Sequence, residues 1–162
     1  MGRGIKPLQN LCEIFNKKLY NNSSCFLRKE VALAINKVQL DLEKQNLGLI
    51  IWDAYRHPSI QEELRKHCNN EDFVGIVSNH SKGISVDVSL CHNGIELDMP
   101  TDFDDFSKKA SSNYLNLSKE QIKNRSLLKE TMEKHGFKQD ESEWWHFDYI
   151  PLINSSVIYE NE

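Results

Sequence analysis

An α+β domain is the fold class that this sequence predicts, and three observations carry the prediction. A helical repeat of apolar residues opens at Leu27, two-residue alternation runs from Ile84 to Ser89, and a second helical segment starts at Ser118. Helices and short strands segregated along the chain, rather than alternating as βαβ units, indicate helices packed on a small antiparallel sheet. The 162 residues, 39% hydrophobic and 27% charged, suit a single core. No low-complexity tract or internal repeat divides them.

Leu27, Val31, Ala34, Ile35, Val38 and Leu42 recur at three- and four-residue intervals, which places them on one face of an amphipathic helix with Gly48 just past its end. Leu49-Ile50-Ile51-Trp52 is a short apolar run rich in β-formers and predicts a buried strand ending at Asp53-Ala54-Tyr55-Arg56. Pro58 suits the first turn of a helix, predicted over Ser59 to Cys68. Ile84, Val86 and Val88 alternate with Ser85, Asp87 and Ser89, so the strand there has one buried face and one exposed polar face that carries Asp87. His92-Asn93-Gly94 is turn chemistry, with Ile95-Glu96-Leu97 returning as the second strand of a hairpin. Ser118 and Gln121 form a capping box for a helix to about His135, with Ile122, Leu128 and Met132 inward and Gly136 as terminator. The stretch from Phe137 to Ile150 holds a last strand.

Charge and cysteine usage exclude several classes. The 20 basic and 24 acidic side chains are interspersed, with a formal charge of −4, which argues against a phosphate-tracking surface and so against nucleic acid. No run approaches the ~20 apolar residues that cross a bilayer. Met1-Gly2-Arg3-Gly4-Ile5-Lys6 reaches Pro7 without a signal-peptide core, so a cytoplasmic location is expected, or a periplasmic one if the N-terminus is incomplete. Lys6 stands where a myristoylation motif at Gly2 requires Ser or Thr. Cys12, Cys25, Cys68 and Cys91 are scattered and read as reduced thiols, and the pairs His67-Cys68 and Cys91-His92 match no zinc-ribbon spacing. Nothing in the sequence specifies an oligomeric state.

Two segments carry candidate chemistry. Between Ser78 and Asp87 a His precedes a Gly-containing turn and an Asp follows on the strand, so His80 and Asp87 can converge. By itself a loop His and a strand Asp more often play a structural or solvated role. Glu143-Trp144-Trp145-His146 adds a second His with a carboxylate three residues before it. Paired Trp residues are more often packing than a cofactor box, since each buries ~150–250 Å². Together, however, the segments supply His, Asp, His and Glu, the set a catalytic zinc requires: three ligands, an open fourth position and a base.

These residues resemble the D-Ala-D-Ala dipeptidases of the VanX type, in the superfamily that also holds lysostaphin-type enzymes, D,D-carboxypeptidases and the hedgehog signalling domain. The S-x-H-x-x-G-x-x-x-D pattern from Ser78 to Asp87 is similar to the family's first metal motif, and Glu143 to His146 to its E-W-W-H motif. Glu96-Leu97-Asp98-Met99, Phe103-Asp104-Asp105-Phe106 and Asn124-Arg125-Ser126-Leu127-Leu128 are similar to dipeptidase segments, and Trp52-Asp53-Ala54-Tyr55-Arg56 resembles the strand end with the active-site arginine. The likeness runs from about Cys25 to Tyr149. It divides the chain into a poorly matched segment 1–24, a zinc peptidase domain 25–150 and a tail 151–162. Ser85 stands where the family usually has Ala, Pro100 where it has Gly, and His57 where a proline follows the arginine.

The resemblance implies a hedgehog/D,D-peptidase-like fold and one zinc ion per chain, held by His80, Asp87 and His146. It implies Glu143 as general base, Arg56 as the cation facing the developing oxyanion, and Ser78 and Asp104 as substrate contacts, Asp104 receiving the ammonium group. Among Asp98, Asp102, Asp104 and Asp105, the alignment alone selects Asp104. The implied activity is hydrolysis of the small substrate D-alanyl-D-alanine in cell-wall precursor turnover. Its rivals are a D,D-carboxypeptidase or peptidoglycan endopeptidase of the same superfamily and, more remotely, a non-catalytic zinc-stabilised binding module. The last has no use for Glu143 and Arg56.

Overall fold

The structure is a computed structural model that describes residues 25–67 and 77–159. Helix α1, Lys29–Glu43, buries Val31, Ala34, Ile35, Val38 and Leu42, as the periodicity requires, while Leu27 packs against the core from just before it. Asn46 rather than Gly48 closes the helix. Asn46 adopts φ 58°, which its short polar side chain tolerates, and Leu47 N–H returns to Leu42 O at 3.0 Å. Gly48 is thereby free to open strand β1, Gly48–Asp53. Helix α2 begins at the proline, Pro58–His67. The segment containing Cys12 and the site of Cys68 lie outside the described residues, and Cys25 and Cys91 are free thiols.

A 3-10 turn at Asn79–Lys82 leads into strand β2, Ser85–His92, which hairpins through Asn93-Gly94 into the short β3, Ile95–Glu96. After a long loop comes α3, Lys119–Lys134, opened by the predicted capping box of Ser118 and Gln121. The single last strand expected from the sequence is in fact two. Strand β4, Phe137–Gln139, and strand β5, His146–Tyr149, pair antiparallel, Phe137 opposite Tyr149. Asp140 makes the break, since its Oδ1 accepts from Ser142 N–H at 2.7 Å and turns the chain. Glu143 therefore sits in a loop and not in a strand.

The sheet runs in the order β1-β2-β5-β4, all antiparallel, with β3 on the far end of β2. Val86, Val88 and Leu90 of β2 and Phe147 of β5 share one core with Ile35 and Leu42 of α1 and Leu128 and Met132 of α3. Ile122, expected inward, is only half-buried, and Asn124 and Arg125 are buried instead. Asn124 Nδ2 donates to Asp98 O (2.9 Å) and Arg125 Nη1 to Tyr114 O (2.8 Å), so α3 tethers the long loop by its backbone. The polar face of β2 also departs from expectation: Ser85, Asp87 and Ser89 are as buried as the apolar residues between them. Among the described residues, no helix is long and apolar enough to cross a membrane.

Gly136 ends α3 at φ 92°, and a Cβ there would lie 3.1 Å from Tyr149 Cε2. A left-handed φ combined with that contact makes Gly136→Ala costly, by more than about 1 kcal/mol in urea unfolding. An unchanged midpoint would show that the α3–β4 connection relaxes without strain.

Candidate metal centre and active site

The site is assembled by strand register. Asp87 on β2 stands opposite His146 on β5, and Ser85 opposite Asp148. Because alternate residues of a strand share a face, these four side chains form one polar square. His80 enters from the 3-10 turn before β2, where Ser78 Oγ accepts from His80 N–H at 3.2 Å and Gly83, at φ 68°, closes the turn onto His80 O.

Three donor atoms converge. His146 Nδ1 lies 2.9 Å from Asp87 Oδ1, His80 Nε2 lies 3.3 Å from His146 Nδ1, and His80 Nε2 lies 3.4 Å from Asp87 Oδ1. Ligands held ~2.0–2.2 Å from a tetrahedral zinc stand roughly 3.3–3.6 Å apart, so the triangle has the size one ion needs. His80 Nδ1 is 2.7 Å from Ala54 O, a carbonyl that can only accept, so the ring proton sits there and the Nε2 lone pair points inward. His146 Nε2 is 3.1 Å from Asp148 Oδ1, and a ring that donates its proton there turns its Nδ1 lone pair toward the triangle. Two imidazole lone pairs and a buried carboxylate then face one another, an arrangement that calls for a cation. Among the described residues this is the one such group of His, Cys, Asp or Glu.

The surrounding charges express the same demand. Burial opposes charging of His146, yet its hydrogen bonds to Asp148 and Asp87 raise its pKa well above the usual value. Burial alone would raise Asp87, but its contacts with the His80 and His146 rings hold it well below the carboxylate range. Glu143, with Oε2 4.0 Å from His146 Nδ1, is pushed up to about 7 by burial and then by Asp87, against the pull of His146. Asp104 is pushed up to about 8, first by burial and then by Asp87 and Glu143, while Arg56 opposes the rise. It sits on the long loop with φ 59°.

Arg56 is part of a buried pair rather than a surface one. Its Nε donates to Asp53 Oδ2 at 2.9 Å, its Nη2 reaches the same oxygen, and Nη1 donates to Gln61 Oε1 at 2.7 Å. Asp53 Oδ2 is also 3.9 Å from His80 Nδ1, which links the arginine to the triangle. A β-bulge at Trp52 permits this: Ile51 pairs with Val88, the next partner pair is Asp53 with Asp87, and Trp52 is the extra residue. Thus His80, Asp87, His146 and Glu143 are brought together, Arg56 and Asp104 lie within electrostatic reach, and Ser78 supports His80 from below. Asp53 and Asp148 were given no role by sequence reasoning. Asp148 had one available signal, its place two residues beyond His146 in a strand.

Trp144 and Trp145 are fully buried, so packing is their role. Trp145 meets Phe103 edge to face, and Phe103 stacks on Trp52 at 5.5 Å. Trp144 Nε1 donates to Thr101 Oγ1 at 2.8 Å. An aromatic wall thereby joins the loop of Glu143 to the loop of Asp104.

An antiparallel sheet that gathers a buried His–Asp–His triangle beside a carboxylate groups the protein, by class, with metal-dependent hydrolases. The chain belongs to the D-ala-D-ala dipeptidase family of metallopeptidases: the family profile, Peptidase_M15, matches residues 62–156. The D-alanyl-D-alanine dipeptidase of Escherichia coli (strain K12) is 33% identical over 139 residues, covering 83% of this chain and 72% of that protein. The D-alanyl-D-alanine dipeptidase of Enterococcus faecalis (strain ATCC 700802 / V583) is 28% identical over 145 residues, 75% of this chain and 72% of its own length. Solved structures share the fold. The LD-carboxypeptidase LdcB aligns with a TM-score of 0.52 at 18% identity over 83% of this chain, which spans 64% of the LdcB chain. The vancomycin resistance D,D-pentapeptidase VanY, solved with Zn(II), aligns with a TM-score of 0.52 at 14% identity over 89% of this chain and 83% of its own. The D,D-dipeptidase VanXYg, solved with a D-Ala-D-Ala phosphinate analog, aligns with a TM-score of 0.51 at 18% identity over 90% of this chain and 59% of its own.

The Asp53–Arg56 pair yields a stability test. Asp53 is fully buried, and removing one partner of such a pair leaves a charge uncompensated, so Asp53→Ala is expected to lose about 3–5 kcal/mol in denaturant unfolding. A loss below about 1 kcal/mol would mean that water already solvates the guanidinium.

Proposed function

We propose that this chain hydrolyses the free dipeptide D-alanyl-D-alanine to D-alanine, using one zinc ion held by His80, Asp87 and His146. The observation that carries the reading is the inward convergence of three donor atoms, from a carboxylate and from two imidazoles whose outer nitrogens already have partners. The names of the dipeptidases to which the chain is similar support the choice of substrate. Such an activity consumes a cell-wall precursor.

A zinc ion in this triangle supplies Lewis acidity, polarising a carbonyl and lowering the pKa of water. Glu143, half-buried and poised near neutrality, takes the proton of the attacking water and passes it to the leaving amine. Arg56, always protonated and held by Asp53 and Gln61, faces the carbonyl oxygen as negative charge develops on it. Burial, Asp87 and Glu143 push Asp104 up to about 8, so its carboxylate is stabilised by positive charge that enters the pocket. The ammonium group of a free dipeptide is such a charge. Ser78, whose hydroxyl accepts from His80 N–H, is the other residue assigned to touch the substrate.

Metal analysis after dialysis should give about one zinc per chain, with a large loss in His80→Ala and His146→Ala. Glu143→Ala should keep the metal and lose ~10²–10⁴-fold in turnover. Loss of zinc in Glu143→Ala would overturn the division between ligand and base, and a second tight zinc that disappears in Cys68→Ser would overturn the single-site reading.

Substrate length is the second test. N-acetylation removes the ammonium and would leave Asp104 with no charge to pair, so D-Ala-D-Ala should be cleaved and its acetyl form largely refused. Asp104→Asn should lower kcat/KM for the free dipeptide far more than for the acetylated one. Equal cleavage of acetylated or longer wall peptides by the unaltered protein would replace the dipeptidase reading with the carboxypeptidase one.

A further inference from the structure

We propose that Asp148 is a positioning residue for the metal centre, selecting the ring orientation and tautomer of His146, and that Ser85 and Asn79 hold Asp148 for this task. The inference rests on the reading of His146 as a ligand.

Asp148 follows His146 by two residues on β5, so both side chains rise from the same face of the sheet. Its carboxylate is met from three directions. Ser85, its register partner on β2, donates its hydroxyl to Oδ1; Asn79, from the turn that carries His80, donates Nδ2 to Oδ2 at 2.9 Å; and His146 Nε2 lies 3.1 Å from Oδ1. Ser85 is fully buried, so its hydroxyl has no water to prefer. Two neutral donors and one imidazole thus fix the carboxylate in the plane where it can accept from the ring.

The ring needs that partner because it stands between two carboxylates. His146 Nδ1 is 2.9 Å from Asp87 and Nε2 is 3.1 Å from Asp148. A neutral imidazole has one proton to give. Given to Asp87, it blocks the lone pair that must face the ion; given to Asp148, it leaves Nδ1 open and makes the ring a better donor. Asp148 decides the contest, and it does so only while Ser85 and Asn79 keep Oδ1 aimed at Nε2. A role confined to joining β2 to β5 would affect unfolding but leave metal affinity alone.

The test measures zinc affinity by competition with a chromophoric chelator and the visible spectrum of the cobalt(II)-substituted protein, alongside thermal unfolding of the zinc-free form. Asp148→Ala should weaken zinc binding ~10–100-fold and alter the cobalt bands, with Ser85→Ala weakening it less but in the same direction. A zinc affinity within about twofold of the unaltered protein in Asp148→Ala would overturn the proposal. Should that variant fail to fold, the isosteric Asp148→Asn decides on the same criterion. His146→Ala separates the two readings. If it retains full zinc affinity, His146 is not a ligand and the metal-site assignment itself fails; if it loses zinc while Asp148→Ala and Asp148→Asn keep it, only the positioning role of Asp148 falls.

Discussion

The antiparallel pairing of β2 with β5 is the constraint on which the rest of the structure depends. One register sets Asp87 opposite His146 and Ser85 opposite Asp148, and the same register sets Val86 opposite Phe147 between them. Val86 and Phe147 are both fully buried. A slip of one residue would turn the apolar pair into the site and the ligand pair into the core. Hydrophobic burial on one face therefore enforces the pairing of Asp87 with His146 on the other.

Crowding of acidic groups follows from that geometry. Asp53, Asp87, Asp104, Glu143 and Asp148 share a small volume with Arg56 and two histidines, and most of these carboxylates are largely shielded from water. Asp53 is satisfied by the guanidinium and Ala54 N–H, and Asp148 by Ser85, Asn79 and His146. The remainder are held apart from their ordinary pKa values, Glu143 near 7 and Asp104 near 8. A pocket in which directed donors stabilise some charges and leave others unmet has a preference for cations built into it.

The two loops that complete the pocket are braced against each other. Trp144 N–H donates to Ala110 O at 2.9 Å and its indole to Thr101, while Ser112 N–H donates to Glu141 O at 3.0 Å. Arg125 and Asn124 tie the long loop to α3. Glu143 and Asp104 are thus carried on loops but placed by rigid elements, as the position of a reacting group requires.

The sequence by itself determined what depends on local spacing. The 3.6-residue period from Val31 to Leu42, the alternation from Ile84 to Ser89 and the capping box at Ser118 are properties of neighbouring residues, and each element forms where spacing put it; the His, Asp, Glu and His of the two motifs were legible as residue types, not as a meeting point. Only the tertiary structure decided what depends on partners far along the chain. The bulge at Trp52 that carries Asp53 to Asp87, the burial of a polar face expected to meet water, and the meeting of Asp87 with His146 and of Ser85 with Asp148 arise from strand pairings more than thirty residues apart. Periodicity reports which face of an element is apolar. It carries no information on what covers the other face, and in this protein that covered polar face is the site.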